Sequence, residues 1–113
     1  MLMATLALPI GTVAYGQTAV AVDVLETRAI EGDTEAMYRL GEVLLHPIDA
    51  EAEDRHTGLM WLTIAHLNKH PKAKFSMADF VFHRKPTDNF VFDVRRRADW
   101  CIERQYEDCG RWP

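Results

Sequence analysis

The helical architecture of this chain follows from one repeated segment, Ala29-x-x-Gly32-x-x-x-Ala36-x-x-x-Leu40-Gly41. The same spacing returns 37 residues later, in weaker form, as His66-x-x-Lys69-x-x-x-Ala73-x-x-x-Met77-Ala78. Between the copies lies Asp54-x-x-x-Gly58-x-x-Trp61-x-x-x-Ala65, in which a tryptophan stands at helical spacing from small residues. A period of about 20 to 50 residues is typical of helical solenoids, in which each helical hairpin buries its apolar face by stacking on a neighbour.

These residues resemble the Sel-1-like repeats, a branch of the tetratricopeptide-like helical repeats. The residues in register with that family are Gly32, Ala36, Leu40, Gly41, Asp54, Trp61, Ala65 and Ala73. Gly58 and His66 replace two alanines of the family pattern, and the second copy departs from it at Lys69, Met77 and Ala78. The resemblance implies an all-α fold, a short right-handed α/α solenoid of about two helix-turn-helix units. It also implies a protein that binds another protein or peptide without catalysis.

Apolar spacing, capping residues and prolines predict five helical segments. The first covers 23–31, and the second begins at 33 or 34 and ends at 45 or 46. The other three cover 54–68, 71–82 and 90–104. We expect Gly32 to end the first segment in a left-handed conformation and Pro71 to occupy the first position of the fourth. The third segment has apolar residues on more than one side, which predicts that it lies in the middle of the stack with helices packed on two of its sides. No segment sustains strand alternation, and either Trp100 or Cys101 can point inward from the last helix.

Cys101 and Cys109 are the only cysteines, and an even pair in a small exported chain is most simply a disulfide, with two unpaired thiols as the alternative. On one straight helix their Cα atoms would lie about 12 Å apart, beyond the roughly 7 Å that a disulfide spans. A disulfide therefore requires the chain to turn between them. Cysteine-rich Sel-1-like repeats have the same seven-residue gap, so the resemblance implies a bridge from one unit's second helix to the start of the next helix.

The segment 1–22 predicts an export signal, because it holds no charged side chain and is mostly apolar. Ala19-Val20-Ala21 and Ala14-Tyr15-Gly16 both fit a signal-peptidase site, although no basic residue precedes Arg28. We expect a leader over 1–22, a helical repeat domain over 23–113, and a location in the periplasm or outside the cell. The alternative is an uncleaved leader that tethers the domain to a membrane.

Charge is distributed unevenly along the chain. The range 23–54 holds ten acidic and two basic residues, whereas 55–113 holds eleven basic and seven acidic residues. The run Arg95-Arg96-Arg97, with Arg84 and Lys85, is the one basic candidate for nucleic acid, but consecutive helical residues point to different sides. We therefore expect no nucleic-acid binding. The arginines are expected at a solvated surface or paired with the acidic run 49–54.

Candidate chemistry is sparse. His66 and His70 have the spacing of a zinc pair, but the glutamate of a metalloprotease motif is missing and Pro71 follows directly, which favours a capping or surface role. The cysteines lack the Cys-x-x-Cys spacing of an activated thiol, and no nucleophile motif, phosphate loop or carboxylate pair stands out. We expect no cofactor, no metal and no enzymatic activity, with a thiol- or metal-dependent accessory enzyme as the alternative.

Tyr38 and Phe75 are the best candidates for a partner-binding site, because they lie 37 residues apart on the first helices of the two units. In solenoids an extended concave surface binds partners, and aromatic residues there are typical hot spots. The alternative is that both rings fill the groove between units. Arg39, Glu42 and Lys74 would supply the polar rim of such a site.

Overall fold

The computed structural model describes residues 22–46 and 50–109, and in these ranges the chain is all α-helical. The helices are α1 over 22–30, α2 Thr34–Leu45, α3 Ala52–Leu67, α4 Ala73–Arg84 and α5 Asp88–Glu103. The predicted fold class is confirmed, and the helix contacts fit a small helical solenoid. The predicted leader, except residue 22, lies outside the described residues. Within those residues, no helix is long and apolar enough to cross a bilayer.

Gly32 and Asp33 join α1 to α2. The φ of Gly32 is 97°, a left-handed value that favours glycine, and its N–H donates to the Ala29 carbonyl at 2.9 Å. The N–H of Asp33 donates to the Arg28 carbonyl at 3.0 Å, which completes a Schellman motif. The Asp33 carboxylate then accepts the N–H of Ala36 and begins α2. Both the predicted end of α1 and the predicted start of α2 are confirmed.

The same hydrogen-bonding pattern ends α3 and α5. At the end of α3, the N–H of Lys69 donates to the His66 carbonyl and that of His70 to the Ala65 carbonyl. At the end of α5, Gln105 and Tyr106 donate to the carbonyls of Ile102 and Cys101. The left-handed residue of this pattern is therefore at 32 after α1, at 69 after α3 and at 105 after α5, with spacings of 37 and 36 residues.

This correspondence fixes the register of α5, which the sequence left open. Cys101 stands 36 residues after Ala65, and both are fully buried. Trp100 is half-buried. Cys101 is thus the inward residue at the end of α5.

The central helix is α3, which contacts α2, α4 and α5. Eight consecutive residues, Gly58 to Ala65, are buried, and Trp61 is 1% exposed, so the predicted central place is confirmed. Helices α2 and α3 approach each other closely at two glycines, Gly41 and Gly58. A Cβ added to Gly41 would lie 2.6 Å from Leu62 Cγ and 2.8 Å from the Gly58 carbonyl oxygen, so only a residue without a side chain fits there.

The second hairpin is more open than the first. Both α4 and α5 pack on α3, and the rings of Phe80 and Phe90 meet near the α4–α5 connection with centroids 6.0 Å apart. Farther along, a cavity of about 230 Å³ separates the two helices. The positions that correspond to Gly41 and Gly58 hold Ala78 and Val94. Side chains at both positions are incompatible with the close approach seen between α2 and α3.

The prediction that Pro71 begins α4 was wrong. The helix begins at Ala73, and Pro71 lies in the turn before it. The reason is the ring of His70, whose Nδ1 accepts the N–H of Lys72 at 3.1 Å and holds the chain in a turn. The predicted end of α2 before Pro47 is confirmed at Leu45.

Candidate functional site

The predicted site residues on α2 are partly engaged within the fold. The ring of Tyr38 is half-buried and stacks on His70, with ring centroids 4.3 Å apart and planes inclined by 12°. Arg39 forms an exposed ion pair with Glu35 at 3.0 Å. Tyr38 therefore packs at the junction of α2 with the start of α4, which agrees with the groove-filling alternative for this residue.

His70 is a buried structural residue that connects α2 to the turn before α4. Its Nε2 lies 2.7 Å from Glu35 Oε1. Because Nδ1 accepts the N–H of Lys72, the remaining proton is on Nε2, which donates to the carboxylate. The hydrogen bond from His70, aided by Arg39, lowers the pKa of Glu35 below its ordinary value of 4.5. With both nitrogens engaged, His70 has no lone pair left for a metal or for general-base catalysis.

His66 does not join His70 in one site, because His66 is exposed and His70 is buried. Over 22–46 and 50–109, no group of three or more His, Cys, Asp or Glu side chains is placed to hold a metal ion. The ring of His70 accepts the N–H of Lys72 in the turn before α4, and His66 lies at the surface.

Glu42 and the predicted residues of α4 lie on different faces. Glu42 lines a polar groove of about 200 Å³ between α2 and α4, together with His46, Asp79 and His83. Lys74 lines an apolar cavity on the opposite side of α4. Phe75 is 71% exposed. The structure therefore does not bring the five predicted residues together into one site.

Sequence reasoning identified Phe75 but missed the rest of an apolar surface on α4, which we call the α4 outer face and define by Phe75, Ala78, Val81 and Phe82. Phe82 is 73% exposed, Val81 is 46% exposed, and Ala78 is exposed as well. Residues three, four and seven apart share one side of a helix, so these side chains form a contiguous patch. A signal was present in the sequence, because α4 has more large apolar residues than its core positions require.

The arginines of α5 pair with carboxylates of the same chain, as one prediction stated. Arg97 is mostly buried, and its Nη1 donates to Glu53 at 2.8 Å while its Nε donates to Asp93 at 3.0 Å. This hydrogen bond from Arg97 lowers the pKa of Glu53. Glu53 belongs to the acidic run 49–54, so the pairing holds the start of α3 against α5.

Cys101 and Cys109 form the predicted disulfide, with Cα atoms 4.8 Å apart. The chain turns between them through Gln105, Tyr106 and Asp108, all at positive φ. Both cysteines are buried. In this buried disulfide neither sulfur is a free thiolate.

Comparison with family models, curated proteins and solved structures gives no match to this chain. Function is therefore inferred from the geometry of the described residues and from the sequence resemblance.

Proposed function

We propose that this chain is a non-catalytic protein-binding or assembly module of the Sel-1-like repeat type. The α4 outer face is the observation that carries the proposal. Phe75 and Phe82 are 71% and 73% exposed, while Ala73 and Phe80 on the other side of the same helix are buried. Large exposed aromatic residues on a fixed helix are typical binding hot spots, and soluble monomers rarely expose a contiguous apolar patch without a function.

The charged clusters of the described residues support binding rather than catalysis. His70 is engaged by Glu35 and by a backbone N–H, and Arg97 is engaged by Glu53 and Asp93. Arg95 pairs with Asp99 at 3.2 Å. Because these arginines already have carboxylate partners within the chain, a protein or peptide is a better partner than nucleic acid.

The disulfide supports a location in an oxidising compartment, the periplasm or the cell exterior, because small exported domains depend on such bonds. The uncharged segment 1–22 supports the same location as a leader sequence.

Site-specific photo-crosslinking tests this function. We expect a photoreactive amino acid at Phe82 of the full chain, expressed in its source cells, to capture a reproducible protein partner identified by mass spectrometry. The control is Ser76 on the same helix, which lines the polar α2/α4 groove and is not three, four or seven residues from Phe75 or Phe82. Failure of position 82 to capture any protein, or equal capture at position 76, would show that the proposal is wrong.

A further inference from the structure

A cleft lies between α4 and α5, and we call it the α4/α5 cleft. Leu59 and Thr63 of α3 form its floor. Its walls are Met77 and Val81 of α4 and Val91 and Val94 of α5. Met77 and Val81 also line a second, more open cavity of about 470 Å³, so two apolar cavities adjoin along α4.

The shape of this cleft suits a helix. Met77 and Val81 are four residues apart, as are Leu59 and Thr63, and Val91 and Val94 are three apart. Each wall thus presents the row of side chains that helices use to pack against one another. Val94, which stands at the position corresponding to Gly58, lines the cleft, whereas Gly58 lets α2 and α3 approach closely. An amphipathic helix that inserts its apolar side chains is the matching recognition mode.

The charge around the cleft is positive. Lys74 lines the more open cavity and Arg95 lines the cleft, while among the described residues no carboxylate lines either cavity. Arg95 is already paired with Asp99, so Lys74 contributes most to this charge. The groove on the other side of α4 is different, because Glu42 and Asp79 line it. Charge complementarity therefore favours a bound helix whose polar positions are acidic.

Two segments of the chain itself are poor occupants. The range 1–22 has no charged side chain and cannot complement Lys74. The acidic α1 packs its own apolar side on the core, where Ala29 is fully buried. We propose that the α4/α5 cleft binds an acidic amphipathic helix of a partner protein. This inference rests on the protein-binding function proposed above and names the chemistry of the partner.

The test uses two labelled helical peptides and the full chain. Both peptides carry the same leucine stripe at positions i, i+3, i+4 and i+7, with glutamate at all other positions in one and lysine in the other. We expect fluorescence anisotropy to give the acidic peptide an affinity at least about tenfold higher than the basic peptide. The difference should shrink as salt is raised, because rim charges are screened.

Variants of the chain test whether the peptide binds in the cleft. Val81→Glu is expected to weaken acidic-peptide binding by at least about tenfold, because it puts a carboxylate in the apolar wall. Lys74→Glu is expected to weaken it by about fivefold and to improve binding of the basic peptide. Asp79→Ala is the control on the opposite face and should change neither affinity. Circular dichroism of each variant confirms that the helices are intact.

Equal affinity for the two peptides, no binding of either, or acidic binding that survives Val81→Glu would overturn the proposal. Sedimentation of the chain alone tests whether a second copy of the chain occupies the cleft. Dimers that Val81→Glu abolishes would also overturn the proposal. Crosslinking separates this inference from the proposed function. If position 82 captures a partner while neither peptide binds, the proposed protein-binding function stands and the inference that the cleft binds an acidic helix is wrong.

Discussion

The substitution Trp61→Ala is expected to lower the free energy of unfolding by about 3 to 5 kcal/mol. Trp61 is 1% exposed and belongs to the hydrophobic core, so truncation leaves a cavity there. A small domain has only about 5 to 15 kcal/mol of stability, and the variant should therefore be largely unfolded at moderate temperature. Urea denaturation followed by circular dichroism measures the loss.

Phe82→Ala is the matched control, because it also truncates an aromatic residue on a helix. Phe82 is 73% exposed, and the expected change in unfolding free energy is within about 0.5 kcal/mol. If the two variants lose similar stability, the division of the aromatic residues into core and surface is incorrect.

Removing the disulfide is expected to cost about 2 to 3 kcal/mol of unfolding free energy. The bond closes a loop between residues separated by eight positions and restricts the unfolded chain. A suitable variant is Cys101→Ala with Cys109→Ala, because the corresponding positions 36 residues earlier are Ala65 and Ala73, both buried. The variant therefore places two alanines where the preceding unit also has two buried alanines.

Chemical denaturation with and without a reductant makes this measurement specific. The unaltered chain should lose stability on reduction, and the double alanine variant should be insensitive to the reductant. A parent chain whose unfolding free energy is unchanged by complete reduction would contradict the stabilising role of the bond.

The helices were predictable from the sequence because their ends are encoded locally. Gly32 ends α1 through its left-handed conformation, and α2 ends at Leu45, shortly before a proline, which has no N–H to continue a helix. The start of α4 was not predictable from Pro71, because it depends on His70, whose ring accepts a backbone N–H while bound to Glu35, 35 residues earlier. Such a contact has no local sequence signature.

The candidate site was less predictable than the fold. Phe75 was identified from its spacing, but Tyr38 at the corresponding position is covered by His70, so equal spacing did not give equal exposure. Phe82 was missed because an apolar residue on a helix is usually assigned to the core. The α4/α5 cleft depends on how three helices pack, a tertiary property that local sequence signals do not encode.

The central claim is that the α4 outer face binds a partner and does not support the fold. The most direct test is recovery of the crosslink-identified partner by the full chain carrying both Phe75→Ser and Phe82→Ser. Because both side chains are exposed, we expect unfolding free energy to stay within about 1 kcal/mol of the parent chain, and partner recovery to be lost. Partner recovery at the parent level by the folded double variant would contradict the account.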